Sequence, residues 1–260
     1  RHALEIELRR ALPLKQFELH YQPQLSLPSG DVFGFEALLR WEHPERGTMP
    51  PLNFIPLAEE IREIHAIGEW VLRAACREAA AWPADLRVAV NVSPVQFEDP
   101  TLVDRIRRAL ADAGLAPTRL EIEITESVLM RHPASAIERL HEIRALGIGI
   151  ALDDFGTGYS SLSYLNSFPF SRVKIDKSFV QNDDGDRNAG ALIQSIINLG
   201  HRLGMTTLAE GVETSDQYQA LLDSGCGGLQ GFLVGPPVPG RRIGDYIAGS
   251  RNSLIGGRRT

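Results

Sequence analysis

The sequence predicts an α/β fold: a TIM-type (β/α)8 barrel with an antiparallel first strand. Three observations carry this. The chain has 260 residues, 43% of them hydrophobic, enough for one large core. Its first two strand-like segments, 17–27 and 32–41, are separated only by Pro28-Ser-Gly-Asp31, too short for a crossover helix, so they form an antiparallel hairpin. After them, strand and helix patterns alternate to the end. A doubly wound open sheet is the alternative, but no Gly-x-Gly-x-x-Gly turn follows the first strand.

The elements follow in order. Residues 1–12, charged and periodic, predict a linker helix, 13–250 the barrel, and 251–260 a flexible C-terminal tail. A Pro- and Gly-rich loop over 43–53 leads into helices 54–64 and 67–82. Strands are expected at 87–93, 120–125, 148–154, 172–176, 205–210 and 227–233. Helices are expected at 100–113, 134–146, from Ser160, at 189–203, 215–224 and 241–248.

Cys76 and Cys226 lie far apart and suggest neither a disulfide framework nor a zinc site, so a reducing, cytoplasmic setting is expected. No apolar run is long enough to span a membrane, so tethering would need a segment outside this chain. Because the chain opens on Arg1 in a charged helical segment, it is expected to be part of a longer protein. The net charge of −6 argues against a nucleic-acid polymer, but not against a small phosphorylated ligand held through metal.

The most informative stretch runs from Gly149 to Leu162: a strand ending in Asp153 and Asp154, then a loop with Gly156 and Gly158. Adjacent acids repel, and a cation relieves that repulsion; the same residues also suit an ordinary surface turn. Alternation elsewhere favours the cation. Val88, Val90, Leu120, Ile122, Val173 and Ile175 share the parity expected to pack against helices, which leaves Asn91, Glu123, Lys174 and Asp176 for the lumen. Glu210 shares parity with Leu208 and breaks the pattern, so it is expected past its strand end. Glu36, Asn91, Glu123, Asp153, Asp154, Lys174, Asp176, Glu210 and Gln230 can then converge. Any one acid could serve a structural ion pair, but so many around one lysine call for hard cations, Mg²⁺ or Mn²⁺ rather than zinc. His20 reads as a core or rim residue.

These residues stand in motifs that resemble EAL domains, the family that hydrolyses the bacterial second messenger cyclic di-GMP. Glu36-Ala-Leu-Leu-Arg40, Asn91-Val-Ser93, Glu123-Ile-Thr-Glu126, Asp153-Asp-Phe-Gly-Thr-Gly158, Lys174-Ile-Asp176, Ala209-Glu-Gly-Val-Glu213 and Gln230-Gly-Phe232 occur in family order. The resemblance implies that Glu36, Asn91, Glu123 and Asp153 ligate one metal. It implies a second shared by Asp153, Asp154 and Glu210, directly or through water. Lys174, Glu210 and Glu36 would be catalytic, with Lys174 holding the attacking water. Gln22, Leu39, Arg40 and Gln230 would bind substrate, and Glu126, Asp176 and Glu213 would support the site, Glu126 by tethering the loop after Asp154. The implied reaction hydrolyses cyclic di-GMP to linear 5′-pGpG with water activated by two Mg²⁺ or Mn²⁺ ions.

A homodimer whose interface lies near the 155–162 loop, so that dimerisation sets the loop's position and activity, and an upstream sensory or GGDEF-like domain are also implied. Two departures stand out: Phe232-Leu-Val-Gly-Pro-Pro237, where the family usually has Tyr after Gln-Gly and a basic residue before proline, and Ile61-Arg-Glu-Ile64 for Thr-Gly-Leu-Ile. The alternative function is a catalytically silent cyclic di-GMP receptor, but its acids are usually incomplete. A single-metal barrel enzyme fits Asp153-Asp154 poorly.

Overall fold

The computed structural model describes residues 1–131, 133–156, 168–181, 187–244 and 247. The expected helix from Ser160, residues 245, 246 and 248 of the closing helix, and the tail 251–260 lie outside them. Strands β1 (Phe17–Ser26) and β2 (Val32–His43) form the hairpin, in register from Phe17↔Trp41 to Leu25↔Val32. Its turn closes with Gly30 at φ 74, where a side chain would be strained. Then β2 pairs in parallel with β4 (Arg87–Asn91), and the parallel run continues through β5 (Leu120–Thr125), β6 (Gly149–Phe155), β7 (Arg172–Ile175), β8 (Thr206–Ala209) and β9 (Gly228–Gln230). Antiparallel pairing of β9 with β1, at Gln24↔Gln230, closes an eight-stranded barrel.

Helices cover the outside. In α3 (Ile64–Ala80), Ile67, Val71, Leu72, Ala75 and Ala79 are buried at helical spacing. In α5 (Leu102–Ala113) the buried set is Leu102, Val103, Ile106, Ala109 and Leu110, and Gly114 ends the helix at φ 65. These meet Val88, Val90, Ile122, Ile124, Ile150, Leu152 and Val173 in one apolar cluster. The N-terminal helix α1 (His2–Ala11) buries Leu8 and Ala11, and its ion pairs Arg1–Glu60 and Arg9–Glu63 tie it to α2 (Ile55–Glu60) and the turn that follows. No helix among the described residues is long and apolar enough to cross a membrane.

Several expectations change. The expected loop 43–53 contains β3 (Gly47–Met49), paired antiparallel with the far end of β2. Ser93 is no longer strand: its Oγ accepts from Gln96 N at 3.3 Å, capping the short helix α4 (Pro94–Phe97). Glu126 opens another helix, α6 (Glu126–Arg131). The last barrel strand stops at Gln230, not residue 233, because Gly231 turns the chain against Val212. There Gln230 O accepts from Val212 N and Val212 O accepts from Leu233 N. The departure at 61–64 puts Arg62 at φ 64, a left-handed position that glycine adopts without penalty.

A Cβ on Gly231 would sit 2.1 Å from Val212 O, whereas one on Gly190, in the helix Arg187–Arg202, meets nothing within 4 Å. Denaturant unfolding should therefore show Gly231→Ala destabilised by about 1–3 kcal/mol. Gly190→Ala should gain up to about 1 kcal/mol. Equal effects of the two would contradict this packing.

Candidate functional site

The parallel strands deliver their last residues to one end of the barrel. Glu36 of β2 is level with Ala89 of β4, and Asn91 of β4 with Glu123 of β5. Lumen-facing residues come in two tiers. The lower tier holds Glu121 and Arg172, 3.1 Å apart and both buried, with the guanidinium 4.5 Å from the Phe33 ring centroid. The upper tier holds the candidate acids and Lys174.

Two local irregularities complete the upper tier. Consecutive strand residues normally face opposite sides, so Asp153 and Asp154 should diverge. They do not, because the β6–β7 register shifts between Leu152 and Phe155 and Asp154 takes φ 54. Asp154 N then donates to Asp153 Oδ1 at 3.0 Å. Oxygens of Asp153, Asp154 and Glu210 come to lie within 4.8 Å of one another. Glu210 sits just past the end of β8, as expected. Its parity is no anomaly: Lys174 is level with Leu208, so in β8 it is Leu208 that faces the lumen, and Glu210 follows two residues later.

Lys174 Nζ lies 2.7 Å from Glu123, 2.7 Å from Glu210, 3.2 Å from Asp153 and 3.5 Å from Glu36. Glu36 also accepts from Asn91 Nδ2 at 2.6 Å and from Gln230 Nε2 at 2.7 Å. Burial opposes the ionisation of Glu36, but Lys174 and the donors Gln230 and Asn91 overcome it and hold its carboxyl below the usual range. Burial also opposes the Lys174 charge, yet the surrounding acids push its pKa well up, so it stays an ammonium. Glu123 goes the other way: burial and the charge of Glu36 raise it well above the carboxylate range. Burial, with help from Asp153 and Glu36, pushes Glu210 up to about 8 despite Lys174. Burial and then Asp153 raise Asp154. Glu123 Oε1 is buried without a hydrogen-bond donor. Acids this crowded, with oxygen donors only and one buried oxygen unpaired, suit hard divalent cations.

The other candidates surround this cluster. Gln22 Oε1 accepts from Gln230 Nε2 at 3.0 Å. Arg40, half-buried, donates to Leu39 O at 2.9 Å, and burial lowers its pKa. Glu126 Oε1 accepts from Gly156 N at 3.0 Å; the rest of the expected tethered loop, 157–162, lies outside the described residues. Asp176 does not join the carboxylate cluster. It caps the short helix Lys177–Val180, accepting from Ser178 N at 3.0 Å, and its charge reaches Asp154. Glu213 accepts from Gln181 Nε2 at 2.9 Å. His20 is a half-buried residue 3.5 Å from Glu18.

Two cavities flank Asp153. One, of about 450 Å³, is lined by Gln22, Glu36, Leu38, Lys177, Glu210 and Phe232 among others. The second, of about 420 Å³, is mainly apolar, with Leu38, Leu39, Leu52, Ile55 and Val71 leading to Asn91 and Asp154. The groove expected from the sequence lacks Leu38. It shares the β2 face of Glu36 and Arg40 and lines both cavities, whereas Leu39 is buried on the opposite face and reaches only the second. Counting i, i+2, i+4 from Glu36 would have found it. Phe232 and Leu52 remain 64% and 86% exposed, one beside each cavity.

The EAL-domain family model matches residues 5–237. A signalling protein of Caulobacter vibrioides is 48% identical over 239 residues, 92% of this chain and 30% of that protein. The bifunctional diguanylate cyclase/cyclic di-GMP phosphodiesterase MucR of Pseudomonas aeruginosa is 46% identical over 91% of this chain and 35% of its own length. The chain thus spans about a third of these curated relatives. Among solved structures, a PaMucR phosphodiesterase in complex with c-di-GMP matches with a TM-score of 0.90 and 45% identity, covering 93% of this chain and 99% of that one.

Metal-free protein should depend on this charge pattern. Lys174→Met removes the one cation held by four buried or half-buried acids and should cost about 3–5 kcal/mol. The folded state keeps a proton on Glu210 up to about pH 8, while an unperturbed carboxyl loses it near 4.5. Stability in chelator should therefore fall as pH rises between those values. Thermal unfolding of Glu210→Gln should show a shallower fall; an unchanged slope would contradict the assignment.

Proposed function

Because the chain belongs to the EAL-domain family, we propose that it is a metal-dependent phosphodiesterase domain that hydrolyses cyclic di-GMP to linear 5′-pGpG. The observation that carries this reading is the gathering of Glu36, Glu123, Asp153 and Glu210 around the single ammonium of Lys174, with Asp154 beside them. The named phosphodiesterase MucR and the c-di-GMP-bound structure support the choice of substrate.

Asp153, Asp154 and Glu210 would hold one Mg²⁺ or Mn²⁺, and Glu36, Asn91, Glu123 and Asp153 another. When bound, such ions supply positive charge and Lewis acidity to a phosphodiester and to water. The protein's own groups do the rest. Lys174, which the surrounding acids hold as an ammonium in the metal-free protein, would donate to the attacking water and to charge that develops on phosphate. Water gives its hydroxyl to phosphorus in line, the bond to a ribose 3′ oxygen breaks, and that oxygen takes up the proton the water loses. Arg40 is suited to a second phosphate oxygen. The apolar cleft with Leu38 and Leu52, and the exposed ring of Phe232, offer flat apolar surface to bases on either side of Asp153. A cytoplasmic setting, an upstream sensory or GGDEF-like domain and pairing of two copies belong to the same proposal.

Incubation with cyclic di-GMP and Mg²⁺ or Mn²⁺ should yield pGpG, and chelator should stop it. Asp153→Asn, which alters a ligand common to both ions, should lose at least about 100-fold in turnover. Binding of cyclic di-GMP by the metal-loaded wild type without any linear product would instead favour a receptor.

A further inference from the structure

Gln24 takes no part in the chemistry above, yet it is only 2% exposed and ends a chain of amides that leads into the acid cluster. It lies level with Gln230 across the β1–β9 seam. Its Nε2 donates to Gln230 Oε1 at 3.1 Å. Gln230 Nε2 donates in turn to Glu36 Oε2 at 2.7 Å and to Gln22 Oε1 at 3.0 Å. Gln22 Nε2 donates onward to Gly235 O at 3.2 Å.

This chain has only one workable sense. An ionised Glu36 accepts and cannot donate, so Gln230 must present its nitrogen to it. The Gln230 oxygen then faces away and needs a donor of its own. Left unpaired in a buried site, that oxygen would cost about 1–3 kcal/mol, and a flipped amide would set its oxygen against the Glu36 carboxylate. Gln24 supplies the missing donor. Asn91 holds the other Glu36 oxygen at 2.6 Å, so the carboxylate is gripped from both sides.

We propose that Gln24 is a positioning residue for Glu36: by donating to Gln230 Oε1 it fixes the amide orientation that aims Nε2 at the cation-binding carboxylate. The inference rests on the reading of the mouth as a divalent-cation site. Outer hydrogen-bond partners of metal ligands act in this way, by orienting the ligand rather than touching the ion. A role limited to filling space would need only the bulk of the side chain.

Gln24→Met keeps the length of the side chain and removes the donor. Calorimetric titration with Mn²⁺ should show affinity reduced about tenfold in this variant, the low end of the range for such partners. In nitrogen-15 spectra of the metal-free protein the Gln230 side-chain amide pair should shift or broaden. With cyclic di-GMP, kcat should fall. Gln24→Lys returns an N–H donor on a side chain one bond longer and should restore the Gln230 signals, which guards against a simple packing defect. Wild-type Mn²⁺ affinity together with unchanged Gln230 signals in Gln24→Met would overturn the proposal. A wild type that binds Mn²⁺ but cleaves nothing would sink the hydrolase reading alone, since affinity and spectra still judge Gln24.

Discussion

One ammonium group organises the mouth of this barrel. Lys174 is wholly buried, and four carboxylates from four different strands or strand ends converge on it. A buried lysine is ordinarily driven towards neutrality, but here the acids more than offset that cost. The balance is one-sided, however. One positive charge cannot neutralise Glu36, Glu123, Asp153 and Glu210, with Asp154 adjacent, and burial first, then the neighbouring acids, raise the proton affinities of Glu123, Asp154 and Glu210. Those sites take up protons when no other cation is present, and hard divalent ions compete for the same oxygens.

The barrel builds this arrangement by combining regular and irregular backbone. Parallel strands supply Glu36, Asn91, Glu123 and Lys174 at neighbouring register positions. The shift in β6 and the left-handed Asp154 add a second carboxylate where alternation would have turned it away. The antiparallel β1 lets Gln22 and Gln24 run alongside Gln230, which extends the polar network across the seam where the barrel closes. Below, the Glu121–Arg172 pair fills the lumen with matched charge, so the imbalance is confined to the mouth.

Much of this is legible in residue types and spacing. Period-two alternation separates Val88 and Val90 from Asn91, and Ile122 from Glu123, and the short Pro28–Asp31 turn reveals the antiparallel hairpin. What escapes a one-dimensional reading is whatever depends on register or on backbone irregularity. The lumen phase of β8 is set by pairing with β7: Leu208 lies level with Lys174, which puts Glu210 in step although alternation alone places it out of step. The convergence of Asp153 and Asp154 needs a bulge that no pattern of side chains announces. Short elements such as Gly47–Met49 and Pro94–Phe97 are held by tertiary pairing and a capping box rather than by periodicity. Glu121 and Arg172 share the lumen parity, yet their depth in the barrel, and so their separation from the upper cluster, appears only in three dimensions.

The most direct test is anomalous diffraction from crystals grown with Mn²⁺. Ion peaks bounded by oxygens of Asp153, Asp154 and Glu210, and by those of Glu36, Asn91 and Glu123, are the predicted result. A mouth without Mn²⁺ at full soaking concentration, its carboxylates still gathered around Lys174, would contradict the account.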